Sequence, residues 1–115
     1  MRRSDLGEFE ELVLLTIATQ FPEAYSVIVA EKLEEVLKRT ITTGATHAAM
    51  QRLEKKGFLE SKMGESTAER GGRRKRLYTV TPAGGKILRE VREVRENLWG
   101  AVAKGAIPEL TTASK

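Results

Sequence analysis

Two adjoining stretches decide the fold: GATHAAMQRLEKKGFLES, Gly44 to Ser61, and GESTAERGGRRKRLYTVTPAG, Gly64 to Gly84. The first predicts a helix from about Gly44 to Lys56, capped by Thr43 or Thr42 and stopped at Gly57 in a left-handed turn. At about 100° per residue, Thr46, Met50 and Leu53 share one face and point inward. Gly44, Ala48, Gln51 and Lys55 lie on the opposite face, flanked by His47 and Arg52. Beyond Gly57, Phe58–Met63 and Arg76–Thr81 read as two strands. Gly64 to Arg74 between them has no apolar residue larger than Ala68, so it reads as a long polar hairpin loop.

Upstream, two more helices are expected. Asp5 to Gln20 carries Phe9, Val13 and Ile17 on a wide apolar face joined by Leu6, Leu12 and Leu15. Ser4 or Asp5 suits its N-cap, and Phe21-Pro22 ends it, because a residue before proline avoids helical angles. Ser26 to Lys38 follows, with Ser26 as expected N-cap and Ile28, Val29, Leu33, Val36 and Leu37 on one side. Arg39 to Thr42, rich in β-branched residues, reads as a brief strand. Downstream, Thr81 opens a long helix with Pro82 at its first position. It continues to about Ala103, with Ile87, Val91, Val94, Leu98 and Ala101 at gaps of four, three, four and three. That is an a/d seam. Three helices, a two-stranded hairpin and a long helix make a mainly α fold, a winged helix-turn-helix with a C-terminal extension. The expected divisions are residues 1–81 for the winged unit, 82–103 for a dimerisation helix and 104–115 for a flexible tail.

The 115 residues are enough for one modest core. Lys and Arg outnumber Asp and Glu by 20 to 16, and the charge is unevenly placed. Arg70, Arg73, Arg74, Lys75 and Arg76 put five cations in seven residues at the hairpin, around Gly71 and Gly72. Arginines on a narrow loop suit phosphates and the minor groove of a duplex. A solubilising loop neutralised by Glu65 and Glu69 is the alternative, as a merely solvated face is for the third helix. No cysteine is present, so disulfides and thiol chemistry are excluded. No metal-ligand cluster, phosphate-binding glycine fingerprint or nucleophile with a partnered base is visible, so neither a cofactor nor an enzyme is expected. His47 is the only histidine, far short of a metal site. No apolar stretch approaches the roughly 20 residues of a membrane span, and the start has no signal-peptide pattern, so the cytoplasm is the expected location.

The segment LGEFE at Leu6–Glu10, the third helix and above all the wing, ERGGRRKR followed by an aromatic and T-x-x-G, resemble the PadR family of regulators. The resemblance is to its short branch with one C-terminal helix, and runs from about Leu6 to Trp99. It implies a homodimer that binds double-stranded DNA, usually as a repressor, at an inverted repeat. Relatives often carry Tyr where this chain has His47, and Gly where it has Ser26. The residues expected at DNA are Thr43, His47, Gln51, Arg52 and Lys55 of the third helix and Arg70, Arg73, Arg74, Lys75 and Arg76 of the wing. Gln51 has the chemistry to pair with adenine, and Thr43 with the first helical amides to hold a phosphate.

Ile87, Val91, Val94, Leu98, Trp99 and Val102 are expected at the dimer interface, although packing against the first helix explains the same stripe and both can hold at once. Trp99 is also the candidate contact for a small-molecule effector, since some relatives respond to small aromatic ligands or phenolic acids. A ligand-responsive sensor and a winged-helix protein-interaction module are the alternatives to a plain repressor.

Overall fold

The computed structural model describes residues 6–64 and 74–110. The order is α1 (Glu8–Thr19), α2 (Ser26–Leu37), α3 (Thr43–Lys55), β1 (Leu59–Met63), β2 (Arg76–Val80) and α4 (Pro82–Ala101). This is the expected winged helix-turn-helix with a long final helix. The proposed caps at Ser4 and Asp5 lie outside the described residues.

Each boundary has a local cause. Helix α1 starts at Glu8, later than expected, because Gly7 serves as N-cap and its N–H donates to the Glu10 carboxylate at 3.1 Å. Tyr25, in an extended conformation, is the N-cap of α2, so Ser26 is the first helical residue and not the cap. The expected strand at Arg39–Thr42 does not form. Ile41 is buried in the core instead, and Thr42 caps α3 by accepting from the Ala45 N–H at 3.0 Å. The edge of β2 is met by a different segment, the Tyr78 N–H donating to the Ala24 carbonyl at 2.8 Å.

Helix α3 ends as its glycine requires. Gly57 sits at φ +85°, the Phe58 N–H reaches back to the Leu53 carbonyl at 2.9 Å, and the Gly57 N–H to that of Glu54 at 3.0 Å. This is a Schellman closure, with Phe58 and Leu53 both buried beside it. The strands β1 and β2 pair antiparallel, Leu59 opposite Val80 and Met63 opposite Arg76. Thr81 then caps α4, accepting from the Gly84 N–H at 3.0 Å while donating to the Gly57 carbonyl at 2.6 Å. Gly84 is necessary there: a Cβ would stand 2.3 Å from the Phe58 carbonyl oxygen.

Val13, Leu14, Ile17, Leu33, Met50, Leu53, Phe58 and Tyr78 fill one core between the three helices and the hairpin. Thr46 joins it with its hydroxyl satisfied by the Thr42 carbonyl at 3.0 Å, so this buried donor is paired. Ile87 is 0% exposed and Val91 is buried too, so both belong to this core. That corrects the expectation that they face a partner: the first three turns of α4 are needed to close the protomer. The rest of α4 leaves it. Leu98 is 65% exposed and Trp99 67%, and the helix ends at Ala101 rather than Ala103. A turn at Lys104–Gly105 follows, with Gly105 at φ +82°.

Candidate nucleic-acid interface

Burying Thr46, Ala49, Met50 and Leu53 turns the other side of α3 to solvent. Thr43, His47, Gln51 and Lys55 fall on that side at successive spacings of four, all exposed. None makes a side-chain hydrogen bond or ion pair with another described residue. Their donors and acceptors are therefore free for an outside partner, and the helix carries no acidic residue in its first turn to repel an anion.

Arg52, expected among them, is occupied. Its Nε donates to Glu10 Oε2 at 2.9 Å, and Lys56 Nζ approaches Glu10 Oε1 at 2.7 Å. Glu10 is 7% exposed. Burial by itself would raise its carboxyl, but hydrogen bonds from Lys56, Arg52 and the Gly7 N–H outweigh that and bring its pKa down to about 2. The cluster ties the C-terminal end of α3 to the start of α1. It engages Arg52 only through Nε: the side chain stays 53% exposed and borders the same surface as Gln51 and Lys55.

The wing divides in the same way. Arg70 and Arg73 lie outside the described residues. Arg74 folds back, its Nε donating to the Gly64 carbonyl at 2.8 Å. Arg76 donates to Ser61 Oγ at 3.0 Å, and Ser61 donates to Glu54 Oε2 at 2.7 Å, a chain from β2 through β1 to α3. Lys75 stands over the Tyr25 ring, its Nζ 3.3 Å from the centroid. Two of the three described wing cations are thus held by hydrogen bonds of the hairpin and one by an aromatic face.

Glu10, Lys56, Tyr25, Glu54 and Ser61 were not legible as parts of this surface. For Glu10 a local signal existed, since it is the third residue of α1 and placed for a capping contact. Its cationic partners are 42 and 46 residues away in sequence and carry no such signal.

On the far side of the protomer, Leu15, Ala18, Val80, Leu88 and Trp99 line an apolar groove of about 690 Å³ between α1 and α4. Arg95 spans its wall to Glu11 at 2.9 Å, and Arg92 pairs with Glu96 at 2.8 Å. Val94 is half-buried, while Val102 is exposed beyond the end of the helix. Among the described residues no group of three or more acidic, histidine or cysteine side chains is placed to hold a metal ion. No helix among them is long and apolar enough to cross a membrane.

An exposed polar helix face beside a basic hairpin is the arrangement with which helix-turn-helix proteins dock on DNA. Residues 14–90 match the transcriptional regulator PadR-like family, and the chain belongs to it. Its fold is similar to a PadR family transcriptional regulator from Eggerthella lenta (26% identity, TM-score 0.62, covering 81% of this chain and 79% of that one). It is also similar to a PadR-like transcription factor from Bacteroides fragilis (23% identity, TM-score 0.67, 80% and 84% covered). A PadR-like regulator from Bacillus cereus aligns at 20% identity and TM-score 0.69, with 88% and 93% covered. No curated protein sequence matches the chain. The chain is a DNA-binding transcriptional regulator of the PadR-like type.

Proposed function

We propose that the protein is a homodimeric repressor acting in the cytoplasm, with α3 in the major groove and the wing on the backbone or minor groove. The observation that carries this is the strip Thr43, His47, Gln51 and Lys55, exposed and without partners among the described residues, beside the cationic hairpin. Gln51 offers the paired donor and acceptor that read adenine, while Lys55, His47 and Thr43 supply phosphate contacts. The half of α4 that leaves the core supports the dimer. Leu98, Trp99 and Val102 are left exposed in the protomer, and the same helix of a second copy provides an apolar cover. A twofold dimer places two α3 helices about 34 Å apart or a multiple of it, so its operator is an inverted repeat.

The groove between α1 and α4 favours a second property of the same protein. Trp99 lies at its apolar wall, so a flat apolar effector seated there touches the helix that joins the copies. Such a ligand would quench Trp99 fluorescence and change DNA affinity together.

The test is binding of the purified protein to DNA upstream of its own gene, against a random duplex, at several salt concentrations. Specific binding that weakens steeply with salt is expected. If no duplex binds at low salt, the strip and wing serve a protein partner instead.

A further inference from the structure

A separate cleft of about 310 Å³ lies where the start of α2, the first half of α3 and the root of the wing meet. Tyr25 and Ser26 form one wall, His47 the second, and Lys75 and Arg76 the third, with Tyr78 on its inner side. Among the described residues, no acidic side chain lines it. Three basic groups converge on one small space, and among the described residues only Arg76 of the three has a hydrogen-bond partner, Ser61. Tyr78 is 2% exposed, yet its hydroxyl has no hydrogen bond with any described residue. A buried hydroxyl left unpaired costs stability unless an outside group completes it. The Tyr25 ring fixes the remaining variable, since Lys75 Nζ rests 3.3 Å from its centroid. A lysine has four rotatable bonds and loses side-chain entropy on binding, so a cation already held over a ring loses less.

We infer that this cleft seats one backbone phosphate of the bound duplex, with Lys75 as the charge and Tyr25 as the residue that positions it. This rests on the DNA-binding reading above and adds to it a phosphate seat shared between α3, through His47, and the root of the wing. Tyr25 does not touch the phosphate. It aims Lys75 at the phosphate that sits beside the groove α3 enters, and so helps set the register of α3 on the duplex.

The experiment compares wild type, Lys75→Gln, Tyr25→Leu, Tyr25→Phe and the Tyr25→Leu/Lys75→Gln pair for binding to one duplex over a range of salt, with thermal melts as folding controls. Lys75→Gln should lower the slope of log affinity against log salt by about 0.9, the loss of one neutralised phosphate. Tyr25→Leu should weaken binding about fivefold and Tyr25→Phe, which keeps a ring, should restore most of that. In the Lys75→Gln background, Tyr25→Leu should add no further loss, whereas a purely structural tyrosine would cost the same in both. An unchanged slope in Lys75→Gln, with wild type binding the duplex normally, overturns the seat and leaves the regulator reading standing. If the small anion rather than the duplex is the ligand, inorganic phosphate raises the melting temperature of wild type but not of Lys75→Gln while the DNA slope stays the same, which also overturns it. Absence of DNA binding by wild type overturns both.

Discussion

Replacing Glu10 with glutamine removes one negative charge from a buried site that holds two cations and changes little in shape. The carboxyl ionises at about 2 rather than the ordinary 4.5. At ~1.4 kcal/mol per pH unit, that difference amounts to about 3 kcal/mol favouring the folded, ionised form. The figure already includes the desolvation that opposes it. Arg52 and Lys56 are partly exposed, so water recovers some of their solvation when the carboxylate is lost. A loss of about 2–3 kcal/mol at pH 7 is therefore expected for Glu10→Gln, against a total of ~5–15 kcal/mol for a domain. It should lower Tm by about 10 °C. The sign with pH follows from the depressed pKa. The stabilisation is complete above about 4.5 and disappears as pH falls from there toward 2. Urea unfolding of wild type and Glu10→Gln at equal protein concentration, at pH 7 and near pH 3, separates this from packing. The gap between the two proteins should shrink at the lower pH. A gap that is the same at both, or absent at pH 7, refutes the argument that ionic pairing holds α1 to α3.

Three further outcomes follow from single contacts. Gly84→Ala forces a Cβ to 2.3 Å from the Phe58 carbonyl oxygen, so it should cost about 2 kcal/mol by shifting α4 from β1, measured by denaturant unfolding. Leu98→Glu lies outside the protomer core, so it should leave the circular dichroism spectrum intact while sedimentation shows monomers at concentrations where wild type is dimeric. Gln51→Ala should retain salt-dependent binding to any duplex but lose about 1–3 kcal/mol of discrimination for operator over random DNA, read by competition.

The periodicity of α3 was legible because three of its four inward positions, Thr46, Met50 and Leu53, obey one spacing, and Gly57 marks where the chain must turn left-handed. The two strands of the wing and the start of α4 were legible for the same local reason, through Gly57, Pro82 and the Thr81 cap, while most of the loop between the strands lies outside the described residues. The brief strand at Arg39–Thr42 was misread because β-branched residues serve equally to plug a core and cap a helix, and Ile41 and Thr42 do those two things. The a/d stripe of α4 was real but served two surfaces. Its first half closes the protomer at Ile87 and Val91, and no periodicity tells where one surface ends and the next begins. The cations were read by density alone. Which of them is engaged depends on Glu10, Ser61 and Tyr25, contacts distant in sequence that composition does not encode.

As a dimer, the protein would present its two α3 strips to successive major grooves. Dimethyl sulfate protection of a bound operator tests this most directly, because the reagent reports guanine N7 in the major groove. Two protected patches related by twofold symmetry, about 34 Å or a multiple apart on the duplex, are expected. Binding without major-groove protection, or with a single unsymmetrical patch, would contradict this arrangement.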